Sequence, residues 1–253
     1  MSLRHTARLA ARRLGVDVER FPECSSDYRL VRLLLRAGID VVLDVGANGG
    51  QYGAMLRRFG YRGRIVSFEP LHGALETLHR CTARDPLWRV FPYALGDRTA
   101  TVTLNVAGND GASSSVLPML PRHVQACPSA RYVGTQEAQQ RRLDEVWPQA
   151  VESQERVFLK LDVQGYEESV LVGGGDRIRR CHGLQMEVSS VPLYDGGLLI
   201  DRAIELAQRR YGFTLMGLEP CFIDQRTGQV LQYDALFMSD PSRYAKGGEV
   251  ALL

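Results

Sequence analysis

The sequence predicts an α/β fold with a doubly wound, mostly parallel sheet and helices on both faces. Three observations lead to this prediction. The segment Val41–Val45 begins as an apolar run, which is typical of a strand buried on both faces of a parallel sheet. A glycine-containing turn follows it, and residues 52–59 then carry apolar side chains at helical spacing. Beyond this unit, strand-like and helix-like segments alternate along most of the chain.

Length and composition are consistent with one domain that has a substantial hydrophobic core. The chain has 253 residues, of which 45% are hydrophobic and 24% charged, so we expect one domain over 39–253, preceded by an N-terminal helical extension over 1–38. A net charge of +2 gives no argument for nucleic acid binding. No apolar run reaches the length of a membrane span, so stable membrane insertion is not expected.

Two further features indicate a cytoplasmic protein. The five cysteines are scattered, odd in number and without a C-x-x-C pair, as expected for reduced thiols. Residues 1–13 are amphipathic and arginine-bearing but lack the continuous apolar core of a signal peptide. They could lie on a membrane surface, although packing on the domain is the favoured interpretation.

The first half of the chain supplies the opening helices and three strands. Within the extension, residues 28–36 form the clearest amphipathic helix, which ends at Gly38, after a break at 21–26. Strands are predicted at 41–45, 64–68 and 88–93, with helices at 52–59 and 71–81 between them.

A less regular region follows. Residues 99–106 alternate with β-branched side chains and predict an additional strand, and 131–139 can form another short one. The segment 108–135 between Gly108 and Thr135 is rich in small residues and contains three prolines, so we expect it to be a lid.

The remaining elements complete the sheet. Strands are predicted at 156–161 and 183–188, and helices at 166–172 and 200–211. Segments 213–218 and 235–239 predict a closing hairpin that makes the C-terminal edge of the sheet antiparallel.

The loop after the first strand indicates the cofactor. It reads Gly46-x-x-Gly49-Gly50 and therefore lacks the G-x-G-x-x-G pattern of dinucleotide-binding proteins. Asp44 at the strand end suits the ammonium group of a methionine moiety, and Glu69 after the second strand is placed to bind ribose hydroxyls. S-adenosylmethionine is therefore favoured over NAD, with these expected contacts: Asp44, Gly46, Ala47, Asn48, Gln51, Glu69, Pro70, Ala94, Leu95 and Asp97.

Four blocks of sequence, in order between about residues 40 and 190, resemble the FkbM family of S-adenosylmethionine-dependent methyltransferases. They are Leu43–Gly50, Ser67–Pro70, Tyr93–Asp97 and Leu159–Glu167. The resemblance implies a Rossmann-like class I methyltransferase sheet and O-methylation, commonly of hydroxyls on sugars or other secondary metabolites. The chain departs from the family at Gln164, where many relatives carry Glu, which puts a mechanism with a third carboxylate in doubt.

Asp162 and Glu187 are the expected catalytic residues. A sugar hydroxyl is a very weak acid, so methylation needs a base or a metal to take its proton. Both residues end neighbouring strands, where Asp162 can act as base or substrate anchor and Glu187 as its partner. Together they could also hold Mg²⁺. The structural alternative is that Asp162 caps the following helix and Glu187 pairs with an arginine.

Six residues are expected near the acceptor, and most of them have a structural alternative. Serines in the loop can contact ligand or serve a turn, a lysine two residues before Asp162 can orient substrate or form a salt bridge, and the aromatic residues can line a sugar site or pack. The six are Ser114, Ser115, His123, Lys160, Gln164 and Tyr194.

The sequence thus predicts an O-methyltransferase that acts on a small hydroxylated acceptor, with a sugar or oligosaccharide as the best candidate. A NAD-dependent oxidoreductase or sugar-nucleotide enzyme is the alternative, although the chain has no Tyr-x-x-x-Lys pair. A catalytically inactive binding module on the same fold is a third interpretation. The sequence does not identify the acceptor, the metal dependence or the oligomeric state, for which a homodimer is one option.

Overall fold

The computed structural model describes residues 25–239, and these form two sheets with helices packed around the larger one. The larger sheet has seven strands, and the smaller has three. The predictions for residues 1–24, including the amphipathic start and most of the N-terminal extension, lie outside the described residues. In order, the strands are β1 Val41–Val45, β2 Arg64–Phe68, β3 Trp88–Phe91, β4 Ala94–Leu95, β5 Ala100–Ala107, β6 Tyr132–Arg141, β7 Val157–Leu161, β8 Gly183–Ser189, β9 Phe213–Ile223 and β10 Val230–Ser239.

Parallel pairing in the middle of the large sheet explains its apolar strands. The strand order is β3-β2-β1-β7-β8-β10-β9, and the first five strands run parallel. All five residues of β1 are buried, as are all five of β7, because helices cover both faces there. The register sets Asp44 of β1 beside Ser67 of β2 and Lys160 of β7.

The C-terminal strands form the predicted hairpin. β10 inserts antiparallel between β8 and β9, and this confirms the mostly parallel sheet with antiparallel C-terminal strands. Both strands are longer than predicted: β9 continues to Ile223, and β10 begins at Val230. Gln232 and Asp234 therefore belong to β10. In the β8–β10 register, Asp234 lies directly opposite Glu187.

Helices cover both faces of the large sheet, as the doubly wound prediction requires. In chain order, the α-helices are α1 Ser26–Arg36, α2 Gln51–Arg58, α3 His72–Thr82, α4 Pro121–Ala126, α5 Leu143–Ala150, α6 Glu167–Gly174 and α7 Ile200–Glu205. Buried residues of α1, α2 and α3 pack on one face around Val42 and Phe158. Residues of α5, α6 and α7 pack on the other face around Leu43 and Leu159.

Local sequence explains several helix boundaries. The Ser25 hydroxyl caps α1 by accepting a hydrogen bond from the Tyr28 backbone N–H at 3.5 Å. The helix predicted over 200–211 is α-helical only to Glu205, and Leu206–Arg210 continue as one π-helical turn. Within the described residues, no helix is long and apolar enough to cross a membrane.

The irregular region forms the smaller sheet and one wall of a cavity. Its strand order is β4-β6-β5, with β5 and β6 antiparallel, so both additional predicted strands exist. Pro92 and Tyr93 separate β3 from β4, so the third strand ends earlier than expected and β4 pairs with β6 instead. The segment between β5 and β6 is held to β5 by the Asn105 side chain, whose Nδ2 donates to the carbonyls of Ser115 and Leu117, each at 3.2 Å.

Candidate active site

A cavity of about 420 Å³ opens at the carboxyl edge of the parallel strands, where α/β sheets of this kind bind ligands. One wall comes from the loops after β1 and β2 and from α2, with Gly46, Ala47, Asn48, Gln51, Glu69 and Pro70. The opposite wall comes from β7, β8 and β10, with Lys160, Asp162, Gln164, Gln185 and Asp234. The segment after β5 closes the top with residues that include Ser114 and Ser115.

The glycine loop after β1 brings backbone from two strands into contact. Gly46 has φ +76°, and a Cβ placed on it would lie 1.9 Å from the Asp162 carbonyl oxygen. Only glycine fits this position, because both the backbone conformation and the contact exclude a side chain. The loop is also fixed by Asn48, whose Nδ2 donates to the Asp110 carbonyl at 3.3 Å. The loop and the segment after β5 therefore meet over the cavity.

Asp44 is buried beneath this loop and does not line the cavity. Its Oδ1 lies 3.2 Å from Lys160 Nζ, and its Oδ2 accepts a hydrogen bond from Ser67 at 3.2 Å. The side chain has no exposed surface. The expected direct contact between Asp44 and the ammonium of a cofactor is therefore not offered by this geometry, because both oxygens face protein donors.

Lys160 joins the buried carboxylate to the cavity wall. Its Nζ also lies 3.5 Å from Asp162 Oδ2 and donates to the Gly46 carbonyl at 3.1 Å. Burial alone would lower the pKa of Lys160, but the charges of Asp44 and Asp162 reverse that effect and raise it above the ordinary value. The lysine therefore stays charged and committed to protein acceptors, in line with the salt-bridge alternative.

Glu69 follows the end of β2 and lines the cavity next to the loop after β1. Its Oε2 accepts from the Asn48 N–H at 2.7 Å, and its Oε1 accepts from the Leu71 N–H at 2.8 Å. Burial raises the pKa of Glu69 to about 7, although these two backbone hydrogen bonds favour the charged form. Each oxygen keeps a second lone pair, which is what two neighbouring hydroxyl donors of a ribose require.

The cofactor contacts expected after the third strand divide into two groups. Ala94 and Leu95 of β4 line the cavity beside Glu69. Asp97 lies outside the residues that line it, since its carboxylate pairs with Arg98 at 3.3 Å and its carbonyl accepts from Arg142 at 2.6 Å. The structure thus assigns Asp97 to the anchoring of the turn after β4.

Asp162 and Glu187 are brought together, but through Gln164. The Gln164 Nε2 donates to Asp162 Oδ1 at 2.8 Å and to Glu187 Oε2 at 2.7 Å. Neither structural alternative holds: α6 has no side-chain cap from Asp162, and the hydrogen bonds to Glu187 come from Gln164, Gln232 and Cys221 rather than from arginine. Asp162 borders the cavity, whereas Glu187 lies behind it.

Charge repulsion and burial act together on the second carboxylate. Burial, with the negative charges of Asp162, Glu167 and Asp234 close by, holds the pKa of Glu187 well above its ordinary value. Glu167 is itself occupied at the start of α6, where its Oε1 accepts from the N–H groups of Val163 and Gly165.

The cavity residues that were not predicted from the sequence include Tyr52, Gln185 and Asp234. The Tyr52 hydroxyl donates to Gln185 Oε1 at 2.9 Å across the cavity floor. Burial and the nearby charge of Asp162 raise the pKa of Asp234 to about 6. The available signal was the presence of Gln232 and Asp234 at alternating positions before an apolar strand, which indicates one polar strand face.

The predicted acceptor residues after β5 occupy different depths. Ser114 and Ser115 line the cavity, and the Ser115 hydroxyl donates to the Gln164 carbonyl at 2.8 Å. His123 and Tyr194 lie outside the lining residues, with ring centres 5.2 Å apart, and Phe222 packs on the histidine at 5.1 Å. Burial lowers the pKa of His123 to about 4, so this histidine is a neutral packing residue.

The donors around Asp162 and Glu187 do not fit Mg²⁺. The amide hydrogens of Gln164 point at both carboxylates and take the space that a shared cation requires. Across residues 25–239, no group of three or more His, Cys, Asp or Glu side chains is arranged to hold a metal.

Comparisons with known proteins agree with the architecture. Residues 44–215 match the family described as the Methyltransferase FkbM domain. The 2-O-methyltransferase NoeI of Sinorhizobium fredii is 25% identical over 185 residues, which are 71% of this chain and 75% of that protein.

Two solved structures match the chain at low similarity. Fibrillarin from Aeropyrum pernix with natively bound S-adenosyl-L-methionine is 12% identical, with 84% of this chain and 76% of that chain covered and a TM-score of 0.45. An rRNA methylase from Streptococcus thermophilus is 12% identical, with 88% and 99% covered and a TM-score of 0.43. Since the family match spans more than half of the sequence, the chain belongs to the FkbM family of S-adenosylmethionine-dependent methyltransferases.

Proposed function

We propose that the protein transfers the methyl group of S-adenosylmethionine to a hydroxyl of a small neutral acceptor, with a sugar or oligosaccharide as the favoured class. One observation carries the proposal. A single cavity has the glycine loop and Glu69 on one side and a group of carboxylates and amides on the other. A cofactor and a hydroxylated acceptor can thus be held face to face in the same space.

The cofactor half uses backbone groups and one carboxylate. The loop Gly46–Asn48 and the side chain of Gln51 would hold the methionine end, and Glu69 would accept hydrogen bonds from the ribose hydroxyls. Ala94 and Leu95 give an apolar surface for the adenine ring, and Pro70 borders it. When bound, S-adenosylmethionine supplies the methyl group as an electrophile attached to a positively charged sulfur.

Asp162 is the proposed base. Its carboxylate borders the cavity with about a third of its side-chain surface exposed, the only one of the two predicted catalytic carboxylates at the wall. With the methyl donor bound, Asp162 would take the hydroxyl proton of the acceptor as its oxygen bonds to the methyl carbon and the carbon–sulfur bond breaks with its electrons left on sulfur. Glu187 supports this carboxylate through Gln164 and does not contact the acceptor.

The charge of the walls favours a neutral acceptor. Among the described residues, the Asp, Glu, Lys, Arg and His side chains that line the cavity are the acids Asp27, Glu69, Asp162 and Asp234, together with Lys160, whose charge is already paired. A phosphate group would meet net negative charge there, whereas a sugar finds carboxylate and amide acceptors for its hydroxyls. The name of the relative NoeI, a 2-O-methyltransferase, supports an oxygen acceptor.

The test is a labelled-methyl transfer assay over a panel of neutral and phosphorylated sugars and oligosaccharides. We expect label on a neutral member and none on its phosphorylated counterpart. Asp162→Asn should bind S-adenosylhomocysteine as the parent does and lose roughly 10²- to 10⁴-fold in turnover, the usual range for a lost acid–base group. Asp201→Asn, an exposed carboxylate on α7, is the matched control. Full turnover by Asp162→Asn would remove Asp162 as the base.

A further inference from the structure

Gln164 has an unusual backbone conformation at the end of β7. Its φ is +57°, a left-handed conformation that non-glycine residues seldom adopt. Its carbonyl is held from above by the Ser115 hydroxyl at 2.8 Å, and the residue is buried. In this conformation the side chain lies between Asp162 and Glu187, at the wall of the cavity.

The side-chain amide of Gln164 is fully used. Its Nε2 donates one hydrogen to Asp162 Oδ1 at 2.8 Å and the other to Glu187 Oε2 at 2.7 Å. Its Oε1 accepts from the Tyr194 hydroxyl at 2.6 Å. The reverse orientation of the amide would set its oxygen against two carboxylate oxygens, so these partners fix its direction.

Tyr194 determines the orientation of the Gln164 amide through the hydrogen bond to its oxygen. The residue is buried, and burial raises the pKa of its hydroxyl above the ordinary value, so it remains a donor. The same hydroxyl lies 3.1 Å from the Ser113 carbonyl. The position of the amide is thus tied to the segment that closes the cavity.

The charges around the amide come from several elements and are mostly negative. Lys160 lies on β7 and Asp162 directly after it, Glu167 begins α6, Glu187 lies on β8 and Asp234 lies on β10. Close carboxylates of this kind require a proton, a cation or strong hydrogen-bond donors between them. In this structure the donors belong to a neutral side chain.

We propose that Gln164 is a positioning residue whose amide occupies the place of a divalent cation between Asp162 and Glu187, oriented for that role by Tyr194. The inference goes beyond the proposed function, because it concerns how the two carboxylates are held rather than what is methylated. It predicts that the protein neither binds nor needs Mg²⁺ at this position.

Distances indicate what one substitution would create. Nε2 of Gln164 lies within 2.8 Å of an oxygen from each carboxylate. In Gln164→Glu, an oxygen would replace that nitrogen, so three carboxylate oxygens would converge at the spacing of ligands around Mg²⁺ or Mn²⁺. The substitution preserves the side-chain shape, replaces the two amide hydrogens by an acceptor oxygen and adds one negative charge.

The experiment is a Mn²⁺ titration followed by electron paramagnetic resonance. We expect no saturable Mn²⁺ binding by the parent protein and one bound ion per chain in Gln164→Glu, lost again in Gln164→Glu/Asp162→Asn. Gln140→Glu is the matched control, because it introduces a buried carboxylate on β6 in the smaller sheet. It should bind no ion.

A second variant tests the role of Tyr194 separately. Tyr194→Phe removes the donor to the amide oxygen, which can then rotate towards the carboxylates and act as a ligand, so weak Mn²⁺ binding should appear. Tyr132→Phe is its control, since that hydroxyl donates to the Leu117 carbonyl at 2.8 Å and does not contact Gln164. A folded Tyr194→Phe without added Mn²⁺ affinity would overturn the orienting role.

Two other outcomes would overturn the main proposal. One is Mn²⁺ binding by the parent protein that Asp162→Asn abolishes, and the other is a folded Gln164→Glu that binds none. If Gln164→Glu does not fold, the Mn²⁺ titration of the parent protein is the remaining test. Absence of bound Mn²⁺ supports the proposal, and Mn²⁺ binding that Asp162→Asn abolishes refutes it. S-adenosylhomocysteine calorimetry on the same samples tests the proposed function independently, because no acceptor or metal enters that measurement.

Discussion

Replacing Lys160 by methionine should remove much of the stability of the sheet centre. The substitution leaves Asp44, which has no exposed surface, with only the Ser67 hydroxyl at 3.2 Å as a donor to its carboxylate. Removal of one partner from a buried ion pair typically costs about 3 to 5 kcal/mol, because the other charge stays desolvated and unpaired. For a domain of this size that loss corresponds to a fall in Tm of about 6 to 20 °C.

The reverse substitution should be milder. In Asp44→Asn, Lys160 keeps the Asp162 carboxylate at 3.5 Å and the Gly46 carbonyl at 3.1 Å. The double variant Lys160→Met/Asp44→Asn has no orphaned charge, so we expect it to regain more than half of the loss.

Urea unfolding at pH 7, followed by circular dichroism, measures all three variants against the parent. A loss below about 1 kcal/mol for Lys160→Met would refute the reasoning, since it would mean that Asp44 is hydrated or neutral in the folded protein. A double variant no more stable than the single one would contradict it as well.

Two further predictions concern the cofactor side. Gly46→Ala should fail to fold, or should lose several-fold more stability than Gly60→Ala in thermal unfolding. The reason is that a Cβ at Gly46 would clash with the Asp162 carbonyl, whereas Gly60, which also has a positive φ, faces open space. Equal losses of stability in the two variants would contradict this prediction. Since the pKa of Glu69 is raised to about 7 from a value near 4.5, ionisation of Glu69 destabilises the fold as pH rises through that window. As the pH rises from about 4.5 to about 7, the free energy of unfolding of the parent, measured in urea, should therefore fall relative to that of Glu69→Gln. A difference between the two proteins that stays constant over this range would contradict the prediction.

The parallel half of the sheet could be predicted closely because its strands are buried on both faces. Most residues of β1, β2, β7 and β8 are buried, and the structure begins and ends these strands within a residue or two of the predicted positions. Residues that follow such strands, among them Glu69 and Asp162, could then be assigned to one edge by topology alone.

Polar strands were less predictable. Gln232 and Asp234 lie at the start of β10, where the antiparallel direction brings them to the carboxyl edge of its neighbours. Direction and pairing depend on contacts between distant segments, and no local pattern in residues 230–234 reports them. The same reason explains why β5 and β6 were predicted without their shared sheet.

Side-chain roles in the site divided according to burial. Asp44 and Tyr194 were expected to touch ligands, but each is buried and engaged with a protein partner, Lys160 and Gln164 respectively. Sequence position places a residue near the cavity without saying which way its polar atoms face. That direction follows from hydrogen bonds such as the one from Ser67 to Asp44.

Calorimetry of the purified protein with S-adenosylhomocysteine, in parallel with NADH, tests the account most directly. We predict saturable binding of S-adenosylhomocysteine at one site per chain, unchanged by EDTA, strongly weakened in Glu69→Ala and retained in Asp162→Asn, with no binding of NADH. Binding of NADH alone, or S-adenosylhomocysteine binding that is indifferent to Glu69, would contradict the assignment of this cavity to the methyl donor.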